Sequence, residues 1–190
     1  MAGPVFLGGG TAQGLARDGF DFTRNAISQL SLGDLGWVQV AGFLLTGVLV
    51  LAASVGVRRA LGGEPGGVWA ARLIGVFGAS FLVAAVVTAD PGGGFPAGAA
   101  GARSGSPSWH GALHMFSGMV GHLALCAAFL LLARYFTAQR HRGRAIGSRL
   151  VPLGILAGFA GSSVTVPAFT VGAGLGLLWL SAVTARLIRA

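Results

Sequence analysis

Residues 110–133 read HGALHMFSGMVGHLALCAAFLLLA, and residues 134–149 follow at once as RYFTAQRHRGRAIGSR. The first string carries no Arg, Lys, Asp or Glu and is long enough for a helix to cross a hydrocarbon core of ~30 Å, which takes about 20 residues. The second carries five arginines. An apolar span that ends in a basic cluster marks a membrane boundary and its side, because loops that stay in the cytoplasm keep Lys and Arg.

Working outward, similar apolar runs give helices at roughly 2–16, 36–57, 70–89, 110–133, 150–168 and 171–189. The 150–189 stretch is too long for one crossing. Pro167 with Gly172, Gly174 and Gly176 marks the expected turn within it, because Pro and Gly punctuate helices. Arg58, Arg59 and Arg72 lie between the second and third runs, Arg134, Arg140, Arg142, Arg144 and Arg149 after the fourth, and Arg186 and Arg189 at the end. Only Arg17, Arg24 and Arg103 occupy the alternate loops. This split predicts an all-α polytopic membrane protein: a single six-transmembrane-helix bundle over 1–190, with both termini cytoplasmic. The first span is short, rising about 22 Å as a helix. It is read as half-sunk and supported by its neighbours, the alternative being a start upstream of Met1.

Composition agrees. Some 54% of residues are hydrophobic and 9% charged, where soluble domains carry about 25% charged residues. The net charge of +8 does not point to nucleic acid. There is no Lys and no basic face interleaved with exposed aromatics. Membrane lipids are the expected partners, with anionic headgroups near 134–149. Cys126 is the sole cysteine, so neither an intrachain disulfide nor a cysteine metal motif exists. Gly154 and Gly158 form a G-xxx-G pair that would bring helices of this bundle close together. No internal repeat is visible, which weakens an inverted-repeat carrier.

The loops opposite the arginines hold the candidate site. Residues 17–34 read as a short amphipathic interfacial helix between the first two spans, capped by Asp21, with Phe22, Ala26, Ile27 and Leu30 on one face. Residues 91–108 lack periodicity and read as a mobile loop or lid. Asp90 ends the third helix, where the dipole disfavours a carboxylate. Ser108 caps the fourth, and His110 and His114 follow at i and i+4, about 6 Å apart along the axis. Neutral imidazoles at that spacing, with an anionic Asp90, suit Zn²⁺, Ser28 or a water completing the shell. Solvated or structural roles are the competing reading. His122 lies deeper on the same helix, where an ionisable residue faces the bundle interior; Ser162, Ser163 and Thr165 are its candidate partners. Asn25, Ser28, Gln29, Ser31, Asp90, His110, His114 and His122 together are the expected lining of one outward-facing polar pocket.

The segment Gly19-Phe20-Asp21-Phe22-Thr23-Arg24-Asn25-Ala26-Ile27-Ser28-Gln29-Leu30-Ser31-Leu32-Gly33, then Gly36-Trp37-Val38-Gln39, resembles a bacterial membrane family known as domain of unknown function 998. Thr88-Ala89-Asp90-Pro91 and Trp109-His110-Gly111-Ala112-Leu113-His114 resemble it too. The resemblance implies a six-helix protein of the bacterial inner membrane and no particular activity. A fainter similarity, to membrane hydrolases of the alkaline ceramidase and adiponectin receptor type, implies zinc roles for Ser28, Asp90, His110 and His114. The expected functions are therefore a bundle that binds a lipid, a small apolar molecule or a membrane partner; a zinc-dependent hydrolase at the outer leaflet; and, weakest, a carrier.

Overall fold

A computed structural model describes residues 1–98 and 107–187. Those residues form six α-helices and no strand: α1 (Ala2–Ala16), α2 (Gly36–Leu61), α3 (Gly67–Val86), α4 (Trp109–Ala138), α5 (Arg142–Gly161) and α6 (Val166–Leu187), with a 3-10 turn at Ile27–Ser31. Four helices, α2, α3, α4 and α6, are long and apolar enough to cross a membrane. The other two fall short for separate reasons. α1 has only 15 residues, and α5 opens on RGRAIGSR, three arginines within its first two turns.

Each helix packs on the next, and α6 returns to α1. Neighbours run antiparallel. Gly47 meets Leu82 and Gly78 meets Leu51, Gly121 meets Ser80, Gly147 meets Trp179, and the Gly3 N–H donates to Ser181 Oγ at 2.9 Å. The result is a closed ring of six helices. Its core is built on Val50, Ile74, Phe77, Leu125, Phe129, Ile155 and Leu177, all essentially inaccessible. The helix directions gather Arg58, Arg59, Arg134, Arg142 and Arg186 at one end of the ring and leave Arg17 and Arg24 at the other. Arg103 and Arg189 lie outside the described residues.

The turn expected at Pro167 and the three glycines lies earlier, at residues 162–165. Pro167 occupies the first turn of α6, where its missing N–H costs nothing. Gly172, Gly174 and Gly176 are buried inside the helix. Gly172 and Gly158 are in mutual backbone contact, and a Cβ on either would strike the other helix. The small residues of α5 therefore hold α6 within this one bundle.

At the arginine-poor end, residues 17–35 and 91–98 fold together as a cap. The amphipathic helix expected over 17–34 does not form. Asp21 instead closes a tight turn, accepting from the Thr23 N–H and hydroxyl and from Arg24 Nε, a local pattern that competes with helix. Only the five residues Ile27–Ser31 coil. Nor does their apolar face lie on an interface. Ile27, Leu30 and Phe95 are buried together against Phe20, Phe22 and Leu32, and the Arg17 guanidinium covers the Phe95 ring at 5.2 Å. Phe95 thus anchors the first half of the segment read as a mobile loop; residues 99–106 lie outside the described residues.

Candidate functional site: a polar knot beside an apolar cavity

The residues expected to line one polar pocket separate into two arrangements. The first is a knot at the cap. Asp90 stands four residues beyond the end of α3, and the chain has turned so that its carboxylate meets the start of α4. Oδ2 accepts from the Ser108 N–H at 2.9 Å, and Oδ1 accepts from the Ser108 hydroxyl. The same hydroxyl oxygen caps α4 by accepting from the Gly111 N–H at 3.0 Å. A Cβ at Gly111 would overlap the Asp90 carboxylate, so glycine there is a condition of the contact. The dipole conflict expected at the end of α3 is absent, because a carboxylate at the start of α4 is favoured. Ser108, chiefly through its hydroxyl and then its N–H, holds the Asp90 carboxyl below the ordinary aspartate value.

Asn25 and Gln29 tie the cap to this knot. Asn25 Nδ2 donates to the Gly92 carbonyl at 2.8 Å, and Gln29 Nε2 donates to the Asp90 carbonyl at 3.1 Å. Gln29 Oε1 accepts from the Ala26 N–H at 3.0 Å, and Ser31 Oγ donates to the Ser28 carbonyl. Asp90, His110 and the Asn25–Ser31 segment do meet at one level. The side chains of Asp90, Asn25 and Gln29 are taken up in these bonds, while Ala26, Ile27 and Ser28 border the cavity below.

No group of three His, Cys, Asp or Glu side chains gathers as a metal shell among the described residues. The expected set of Asp90, His110 and His114 does not gather as one such group. Both oxygens of Asp90 are engaged by Ser108. Each histidine also turns Nδ1 onto oxygens that can only accept: His110 Nδ1 lies 3.0 Å from Ser108 Oγ, whose proton goes to Asp90, and 3.4 Å from the Thr88 carbonyl. His114 Nδ1 lies 2.7 Å from the Val87 carbonyl. Those nitrogens carry hydrogens, so each neutral ring keeps its lone pair on Nε2.

The second arrangement is a cavity of about 280 Å³ below the cap, lined by all six helices and by Ala26, Ile27 and Ser28. Phe6, Phe43, Phe81, Phe159 and Phe169 make most of its wall, with Met115 and Met119 on α4 and Ala173 and Leu177 on α6. Two histidines interrupt this apolar surface. His114, 7% exposed, faces in beside Phe43, its ring centroid 6.0 Å away. His122, also 7% exposed, is edge-on to Phe77, Phe159 and Phe169 at 5.1–6.0 Å. Its Nδ1 bonds the Gly118 carbonyl of its own helix at 2.8 Å, and its Nε2 has no partner among the described residues. None of Ser162, Ser163 and Thr165 bonds it; Ser162 lines the same cavity, but its hydroxyl donates to the Phe159 carbonyl.

The cavity opens sideways. α5 ends at Gly161, beside α6 residue Ala168, while α4 continues past it toward Trp109. Beyond that end, a gap beside the outer turns of α4 leads from the cavity to the surface. Met115 and Met119 edge this gap at 63% and 42% exposure, although both also line the cavity. The sequence pointed to His114, His122 and Ser28. It gave no sign of the phenylalanine wall, whose members come from five helices.

The cap segment, the Asp90 turn and the histidine helix are now in place as one unit spanning the chain, and a family model covers residues 1–186 of it. The chain belongs to the family described as protein of unknown function DUF998. No curated protein and no solved structure matches the chain. Membership supplies a membrane-type helical architecture and leaves the chemistry to the cavity and the knot.

Proposed function

We propose that this DUF998 protein is a six-span protein of a bacterial cytoplasmic membrane that takes a lipid-like molecule from the outer leaflet into the cavity between its helices. The observation that carries this reading is the phenylalanine-lined cavity whose edge on α4, Met115 and Met119, is exposed on the side of the bundle. A cavity walled by phenylalanines and opening toward the flank of an apolar bundle is reached through lipid, not through water. Pockets that bind small molecules are concave, mostly apolar and furnished with a few fixed polar groups. A dry cavity of roughly 150 Å³ holds one benzene, so about 280 Å³ suits a chain of roughly a dozen heavy atoms.

The six-span topology is part of the proposal. α1 and α5 close the ring on either side of α6, and their antiparallel order carries the chain across at each step. Support for α1 from α2 and α6 compensates for its length. The arginine-rich end would face the cytoplasm, with both termini there. Single cysteines at Asp34 and Gly143, in a Cys126→Ala background, should be labelled by a membrane-impermeant reagent from outside and only after lysis, respectively. Labelling of both from one side contradicts this topology.

The binding reading is tested by native mass spectrometry of protein released from membranes, wild type against Gly118→Phe. Gly118 lines the cavity with open space around its Cβ position, so a phenyl ring fills the cavity without forcing the backbone. Wild type should carry an apolar adduct that the filled variant lacks. An unliganded wild type, or equal adducts in both, contradicts it. Hydrolysis and transport are the weaker readings: among the described residues no three His, Cys, Asp or Glu side chains gather as a metal shell, and no carboxylate lines the cavity.

A further inference from the structure

Four polar groups of the cavity wall, on His114, His122, Ser80 and Ser162, have roles fixed by their other bonds; Ser28 and Thr170 also line it. His122 Nδ1 faces the Gly118 carbonyl and His114 Nδ1 faces the Val87 carbonyl. A carbonyl only accepts, so each Nδ1 holds the ring hydrogen, and in a neutral imidazole Nε2 is then an acceptor. No Asp or Glu lines the cavity, and an imidazolium without a counter-charge is costly in an apolar site. The hydroxyls repeat the pattern. Ser80 Oγ donates to the Phe77 carbonyl at 2.8 Å, and Ser162 Oγ to the Phe159 carbonyl at 2.6 Å. Four polar groups on three elements of the wall therefore offer lone pairs. One of them, His122 Nε2, is buried and has no donor, a state that buried polar atoms rarely keep without a partner.

We infer that the cavity selects an uncharged amphiphile whose polar end is a hydrogen-bond donor, a hydroxyl above all, with His122 Nε2 as the acceptor that receives it. This deepens the binding reading above and rests on it. A carboxylate or phosphate would set lone pair against lone pair at each of these groups. An ammonium would donate, but it would be buried with no carboxylate beside it. A hydroxyl satisfies His122 and leaves the alkyl chain to pack on Phe159 and Phe169. The remainder of a longer chain leaves past Met115 and Met119, which line the cavity and are exposed.

The test uses the full chain in lipid nanodiscs and three probes of matched length: dodecanol, undecyl methyl ether and dodecanoate. The protein contains three methionines, Met1, Met115 and Met119, so methyl-labelled methionine places two of its three signals at the cavity rim. Titration of the Met115 and Met119 signals reads occupancy, with each probe compared at equal mole fraction in the bilayer. Dodecanol should bind about tenfold more tightly than the ether, the effect of one buried hydrogen bond, and dodecanoate should be weakest. In His122→Phe, which keeps an aromatic ring among the same phenylalanines, the alcohol and the ether should bind alike. Equal binding of alcohol and ether to wild type, or preference for dodecanoate, overturns the donor assignment and leaves the cavity reading standing. Movement of neither rim signal with any probe overturns both. The comparison on wild type needs no variant to fold.

Discussion

The knot that Asp90 makes with the start of α4 and the cavity that His122 faces further along that helix are opposites in chemistry. In the knot, Asp90, Ser108, His110, Asn25 and Gln29 satisfy one another, and the local charge sits at a helix start that favours it. In the cavity, a buried imidazole nitrogen waits on an apolar wall with no partner. A polar group that has everything it needs is a structural element. One that is buried and incomplete makes sense only with something else present. Asp90, read in the sequence as a candidate metal ligand, fastens the cap to α4, and His122, read as facing the bundle interior, lines the cavity.

Substitutions can break this contrast in a defined order. The largest effect belongs to Gly111→Val. Its side chain would overlap the Asp90 carboxylate and should cost about 3 kcal/mol, read as a large fall in the unfolding midpoint in nanodiscs. Asp90→Ala comes next. It leaves the Ser108 N–H and hydroxyl without their acceptor and should cost about 2 kcal/mol, again in thermal unfolding, while the folded fraction still takes up probe. His114→Phe should cost about 1 kcal/mol, because the Val87 carbonyl loses its donor. His122→Phe should leave the unfolding midpoint unchanged or slightly raised, since it removes a buried atom that had no partner.

The smallest effect is one of pH. The Asp90 carboxyl is held below 3.8, the ordinary aspartate value, by Ser108. Its contribution to stability is therefore fully present above that value and is lost as pH falls through the folded-state value. Unfolding midpoints of wild type and Asp90→Asn should differ at neutral pH and converge in strong acid. A constant difference across the range would show that Ser108 is not the carboxylate's partner.

Much of the architecture was legible because apolar length and arginine placement answer to the membrane and not to tertiary detail. The helices at 36–57 and 110–133 and the basic end of the bundle follow from those two signals alone. Boundaries slipped where packing decides. Gly172, Gly174 and Gly176 read as a turn because glycine usually breaks helices, yet here Gly172 and Gly176 let α5 and α6 touch, and Gly174 faces Leu7 on α1. The cap was misread for a related reason. Phe22, Ile27 and Leu30 share a helical face in sequence, but Asp21 seizes the backbone first, and Phe95, 65 residues after Leu30, supplies their partner. At the site, Asp90 and the histidines were visible as residue types. Their division between knot and cavity depended on where the chain turns after Val86, which no spacing encodes.

The contrast is tested most directly by carrying Asp90→Asn and His122→Phe through the same two readings in nanodiscs: the thermal unfolding midpoint, and the ratio of dodecanol to undecyl methyl ether affinity at the Met115 and Met119 methyls. Asp90→Asn should unfold at a lower temperature and keep the wild-type ratio. His122→Phe should unfold with wild type and lose the ratio. Loss of the ratio in Asp90→Asn with its retention in His122→Phe would place the binding chemistry at the knot and contradict the account.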